Sequence, residues 1–111
     1  MATFGTDVQQ SIALIADGLA QKYVGTTATT ITKARLLNVF AQASDADAEI
    51  KIYDEADSSK TASKLVFHGK FGTAANHVHE FKIPEDGIRC KSGVYVDLTN
   101  CDFCTIIGTF T

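Results

Sequence analysis

The sequence predicts an all-β chain: an antiparallel two-sheet β-sandwich, jelly-roll-like, preceded by an N-terminal arm or short helix. Three observations carry that expectation. Thr, Ile and Val supply 13, 9 and 7 of the 111 residues, and β-branched side chains favour strands over helices. Several stretches alternate apolar and polar residues with a period of two, the mark of a half-buried strand. Turn-forming clusters of Gly, Pro, Asn and Asp recur roughly every ten residues, the spacing of a sandwich or barrel.

Residues 8–22 hold the one helix-like pattern. Val8, Ile12, Ile15 and Leu19 recur on one helical face, Asp7 can cap the start and Gly18 weakens the end. The same stretch reads equally as an extended arm. Residues 1–28 are therefore set apart as an arm or short helix, and 29–111 as the β-sandwich domain. Gly25 to Thr30 is a small, polar, β-prone connector.

From residue 31 the text reads as strands. Ile31 to Ala43 is a long apolar-rich run. Ala48, Ile50 and Ile52 alternate with Glu49, Lys51 and Tyr53, and Asp54 to Lys60 is a polar turn. Leu65 and Phe67 alternate with Val66 and His68, while Gly69 and Gly72 bracket Lys70 and Phe71. His77, His79, Phe81 and Ile83 fall on one face of a strand, with Val78, Glu80 and Lys82 on the other. Pro84-Glu85-Asp86-Gly87 is a turn, since proline pre-sets its backbone angle and glycine accepts positive φ. Ile88 to Cys90 is a brief strand. Val94, Val96 and Leu98 alternate with Tyr95 and Asp97, and Thr99 to Asp102 turns the chain into a last strand, Phe103 to Phe110.

Composition narrows the function classes. A chain that is 45% hydrophobic and 21% charged is not disordered, and its length suits one domain with one core. A net charge of −3, with Lys and Arg scattered and no basic run interleaved with aromatics, points away from nucleic-acid partners. The apolar patch Ser11 to Ala16 is too short for a signal-peptide core or a membrane span, so no signal peptide and no membrane partner are expected. Synthesis in cytoplasm and three reduced cysteines follow, because an odd count cannot close a disulfide framework.

Few residues invite chemistry. Cys101-Asp-Phe-Cys104 has CxxC spacing, but a redox motif wants a helix start behind it, and a zinc site needs two more ligands, such as Cys90 and a histidine. The preferred reading makes Cys90 and Cys104 apolar fillers and Cys101 a turn residue. His77 and His79 could grip a metal edge-on or face a neighbouring strand or subunit, the commoner arrangement. His68 stands alone. Asp45, Asp47, Glu49, Asp54, Glu55 and Asp57 lack the glycine and distal glutamate of a calcium loop and read as a solvated acidic end. Tyr53 and Tyr95 are the exposed aromatics that could stack on a sugar, with surface packing or a subunit contact as the plainer use. No nucleophile elbow is present, so no catalytic, cofactor-binding or metal residue is assigned, no cofactor is expected, and the chain is read as not an enzyme.

The run from Ile83 to Leu98, Ile-Pro-Glu-Asp-Gly-Ile-Arg-Cys-Lys-Ser-Gly-Val-Tyr-Val-Asp-Leu, closed by Cys104-Thr-Ile-Ile-Gly108, resembles small β-sandwich virion proteins of tailed bacteriophages. Arg35 to Val39 and the strand at Ala48 to Tyr53 look like the earlier part of the same plan, so the likeness spans about residues 30–111. It implies a non-enzymatic virion structural protein, foremost a head decoration (cement) protein. The implied partners are the major capsid protein lattice and further copies of itself as a homotrimer, and the implied place is the virion. The alternatives are a neck or tail component, or a carbohydrate- or receptor-binding sandwich. The cysteines depart from the pattern, which would place aliphatic residues at Cys90 and Cys104.

Overall fold

The computed structural model describes residues 8–71 and 76–111; the Asp7 cap and the Gly72 bracket lie outside the described residues. The strands are β1 (Gln9–Gln10), β2 (Gly18–Leu19), β3 (Gln21–Val24), β4 (Thr27–Thr30), β5 (Ala34–Ala43), β6 (Ala48–Tyr53), β7 (Leu65–Phe71), β8 (Val78–Lys82), β9 (Ile88–Cys90), β10 (Tyr95–Thr99) and β11 (Cys101–Phe110). A short 3-10 turn at Ala62–Lys64 leads into β7. All pairings are antiparallel. One sheet runs β1-β11-β5-β8, with β9 also on β5; the second runs β2-β10-β6-β7; β3 and β4 form a separate ribbon. The all-β, two-sheet sandwich expected from the sequence is the fold.

Period-two patterning builds the core. Leu36, Val39, Ala41 and Ala43 of β5 and Cys104, Ile106 and Phe110 of β11 point inward from the first sheet. Ala48, Ile50 and Ile52 of β6, with Val94 and Val96 at β10, meet them from the second. Each fully buried Ile, Leu or Val contributes about 1.5–3 kcal/mol relative to exposure. At the open edge, β7 and β8 belong to different sheets, and aromatic rings fill the gap between them. Phe81 meets Phe67 edge-on at 5.4 Å and Phe71 at 5.5 Å.

In the first sheet, two irregularities keep the inward and outward sets in phase. Ile107 pairs with Asn38 but Gly108 with Leu36, so Leu37 is an extra residue on β5. Phe103 pairs with Gln42 one step after Cys101 pairs with Ala43, which makes Asp102 the extra residue on β11. The Pro84 turn forms as expected: Gly87 sits at φ 79° and donates its N–H to the Pro84 carbonyl at 3.2 Å. A Cβ there would fall on the Leu36 carbonyl oxygen.

The N-terminal stretch differs from its helical reading. Residues 8–22 hold no helix but short strands joined by irregular chain with a bend at 15–17, and the would-be helical stripe is not a buried face, since Val8 is 62% and Ile15 79% exposed. Pairing with the sheets decides the outcome. Ser11 and Ile106 bond through their backbones at 2.8 Å, Leu14 bridges Cys104, and the Ala20 N–H donates to Val94 at 2.8 Å. Thus β1 extends the first sheet and β2 the second. Cys101 is likewise not a turn residue: the chain turns at Asn100, which sits at φ 54°, and Cys101 already opens β11.

Candidate functional site

The groups that could do chemistry are mostly spent on holding the fold. Cys90 and Cys104 are 1% exposed within the core, and burial pushes both thiols up to about 12, so neither supplies thiolate near neutrality. Cys101 is half-buried and also raised by burial, with its Sγ 3.3 Å from the Thr99 carbonyl. All three are free thiols. The two interior cysteines are the apolar fillers that the preferred reading made them.

His77 and His79 lie beside one another at 6.0 Å between ring centroids, with His79 stacked on Phe71 at 5.8 Å and edge-on to Phe81 at 4.4 Å. Their neighbours are carbon-rich rings, which stack with imidazole but ligate nothing. His68 is not alone after all. Its Nε2 lies 3.1 Å from Glu49 Oε1 on the outer face of the second sheet. Among the described residues, no group of three or more His, Cys, Asp or Glu is placed to hold a metal ion.

The acidic stretch works as loop staples. Asp54 Oδ1 accepts the N–H groups of Lys91 at 2.9 Å and Ser92 at 2.7 Å, tying the end of β6 to the β9–β10 connection. Burial opposes its charge, but these N–H groups outweigh that and hold the carboxyl below its ordinary range. Buried Glu55 accepts from the Thr61 N–H at 3.1 Å, and Asp57 from Ser59 at 3.0 Å. Asp45, by contrast, bonds only the adjacent Ala46 N–H and stays exposed with Asp47.

Tyr53 and Tyr95 offer no ring face to a sugar: they are 6% and 7% exposed. The alternation placed them on the outer side of the second sheet, where they are directly paired across β6 and β10. What the sequence could not foresee is the 54–64 loop. It brings Lys60 over this face to Asp17 at 3.1 Å and Asp97 at 3.6 Å, while Asp17 also accepts the Leu98 N–H at 2.7 Å.

The outer face of the first sheet is different. Phe40 of β5 is paired with Thr105 of β11, so Phe103 and Ile107 flank it diagonally. Across β8 the diagonal neighbour is Val78, which is 54% exposed. These four apolar side chains, with Gln10 and Thr105, line a shallow hollow of about 350 Å³. At the far end of the same face, Lys33, Arg35, Arg89 and Lys91 line a second hollow of about 470 Å³. Sequence reading saw these cations as scattered, because β5 and β9 are more than fifty residues apart in the chain; only their pairing gathers them. The β3–β4 ribbon exposes every residue from Tyr23 to Ala28 around the Gly25 turn.

No helix among the described residues is long and apolar enough to cross a membrane. No family model matches this chain, and no curated protein or solved structure matches it.

Proposed function

We propose that this chain is a non-enzymatic structural protein of a bacteriophage virion, of the head-decoration kind, which assembles as a trimer and clamps the capsid lattice. The observation that carries the reading is the Phe40, Phe103, Ile107 and Val78 strip on the outer face of the first sheet, which no element among the described residues covers. A half-exposed apolar strip on a sheet face costs solubility unless something packs on it. The burial of the thiols and the use of Asp54 and Glu55 as loop staples support a body built for rigidity. The setting is taken from the resemblance of residues 30–111, carried by 83–98 and 104–108, to phage sandwich proteins.

In this reading the strip packs copies of the chain together, and the β3–β4 ribbon, with Tyr23 and Val24 exposed at its tip, reaches the shell. Three ribbons on one trimer engage neighbouring shell subunits at once, so contacts too weak singly gain by avidity. A partner that binds only the assembled lattice stabilises that lattice by mass action.

The test is light scattering and shell binding with Phe40→Asp and Phe103→Asp. Wild type should run as a trimer at micromolar concentration and sediment with expanded shells. The variants should melt as wild type does, yet run as monomers and fail to sediment. A wild-type monomer that ignores shells removes the proposal.

A further inference from the structure

We propose that the Lys33, Arg35, Arg89 and Lys91 block is a binding site for a compact ligand carrying two or more phosphate groups. Its construction is independent of the apolar strip and of the virion reading. Arg35 and Arg89 are direct partners across β5 and β9, flanking the pair formed by Ala34 and Cys90, whose side chains point into the core. Lys33 immediately precedes β5 and Lys91 immediately follows β9, and both line the same hollow. The result is a two-by-two block of cations on one face, with like charges opposed. Directly opposed cations destabilise a sheet by their repulsion. A fold tolerates such a block at little cost when carboxylates neutralise it, and no described side-chain carboxylate forms an ion pair with it. Among the described residues none of the four makes an ion pair; the Lys pairs are those of Lys51 and Lys60. The Asp54 carboxylate accepts the main-chain N–H groups of Lys91 and Ser92.

The rest of the lining fits an oxyanion. Thr109 is the partner of Arg35 on its other side, across β11, and Thr111 follows on the same face. Guanidinium forks and hydroxyl donors together are the groups that recognise phosphate oxygens. Arg35 is held in place, since its Nη1 donates to the Asp86 carbonyl at 2.8 Å. The hollow of about 470 Å³ lies within the ordinary size of small-ligand sites. Four cations exceed what one phosphate neutralises, which selects a ligand with clustered phosphates over a lone anion. An extended polyanion is disfavoured, because no aromatic side chain lines the hollow to stack a base. In a chain of net charge −3, four of the ten Lys and Arg side chains are concentrated here.

Titration calorimetry at low salt with inorganic tripolyphosphate, orthophosphate and an oligothymidylate tests the assignment on the full chain. Tripolyphosphate should bind saturably and at least about tenfold tighter than orthophosphate. Arg89→Thr should abolish that binding, and Lys70→Ala, on the second sheet, should not. Without ligand, Arg89→Thr should melt at or ~1–3 °C above wild type, because it relieves the opposed charges. Tripolyphosphate should raise the melting temperature of wild type and leave Arg89→Thr unmoved. Equal binding by wild type and Arg89→Thr overturns the site. So does an oligothymidylate that binds tenfold tighter than tripolyphosphate through the same residues. Since Arg89→Thr leaves the apolar strip intact, shell binding by this variant tells failure of the ligand site from failure of the virion reading.

Discussion

Ser11 offers the sharpest test of how the N-terminal stretch is joined to the body. Its side chain is buried, and its Oγ accepts the Ile106 N–H at 2.9 Å, while its own N–H donates to the Ile106 carbonyl at 2.8 Å. Ile106 is fully buried, so its N–H has no route to water. Ser11→Ala keeps the backbone bond and removes the acceptor. A buried donor left without a partner costs about 1–3 kcal/mol. For a domain of 111 residues the unfolding entropy is about 0.23 kcal/mol/K near the midpoint, so the melting temperature should fall by roughly 4–13 °C. Thermal melts followed by circular dichroism measure this directly, and exchange of the Ile106 amide should quicken in step. Ser44→Ala, at an exposed position, should leave the melt unchanged. A Ser11→Ala melt within about 1 °C of wild type would refute the reasoning, because it would mean the 8–14 stretch peels away at no cost.

Other outcomes follow from particular contacts. In Gly69→Ala the new methyl meets the Phe81 ring at 2.8 Å, so the aromatic seam between β7 and β8 must shift; a loss of about 1–3 kcal/mol in urea unfolding is expected. The thiols should resist alkylation in the order of their burial: mass spectrometry of native protein at pH 8 should find Cys90 and Cys104 unmodified, and all three modified in denaturant. The pH dependence has a defined sign. The Asp54 and Asp17 carboxyls are held below their ordinary values in the folded state, so each contributes stability above the unfolded carboxylate range and loses it as pH falls through the folded value. Wild type should therefore lose melting temperature steadily on acidification below about pH 5, and Asp54→Asn should show a shallower slope, the charge being gone.

Much of the fold was legible because alternation, apolar runs and turn residues mark β5 through β11, even though register shifts break the period in β5, β7 and β11. The structure places them close to where the text does, except that β5 begins at Ala34 and not at Ile31, and β11 at Cys101 and not at Phe103. The N-terminal strands were not legible. The residues that anchor them, Ser11 and Ala20, are small, and their signal is backbone pairing with Ile106 and Val94 roughly seventy-five to ninety-five residues away. Meanwhile Val8, Ile12, Ile15 and Leu19 mimic a helical stripe by spacing alone. Tyr53 and Tyr95 show the same limit from the other side. Alternation assigned their face correctly, but only the loop that carries Lys60 determines whether that face is wet. The cationic block was hidden for a topological reason: β9 pairs with β5 across a long excursion through β6, β7 and β8, and no local pattern records which strand a three-residue segment will join.

The two outer faces of the sandwich have been treated differently by the chain, and that asymmetry limits where a partner can dock. The second sheet is closed by its own means. The Lys60 bridge to Asp17 and Asp97 crosses one part of it, and Glu49 with Lys51 and His68 occupies another. These charges are already paired, so a partner would have to break them to find purchase, at a desolvation cost that exposed pairs seldom return. The first sheet leaves both kinds of recognition open: an apolar strip around Phe40 and a like-charged block around Arg35, which share β5 and β11. The two sites call for opposite experimental signatures. Contacts made through the strip should be insensitive to salt, whereas binding at the block should weaken as salt rises, since unpaired surface charges are screened within about a Debye length of 10 Å at 0.1 M. An association that weakens with salt in wild type but not in Arg89→Thr would place the anion site within the assembly contact. Association that is indifferent to salt in both would keep the two functions apart on one face.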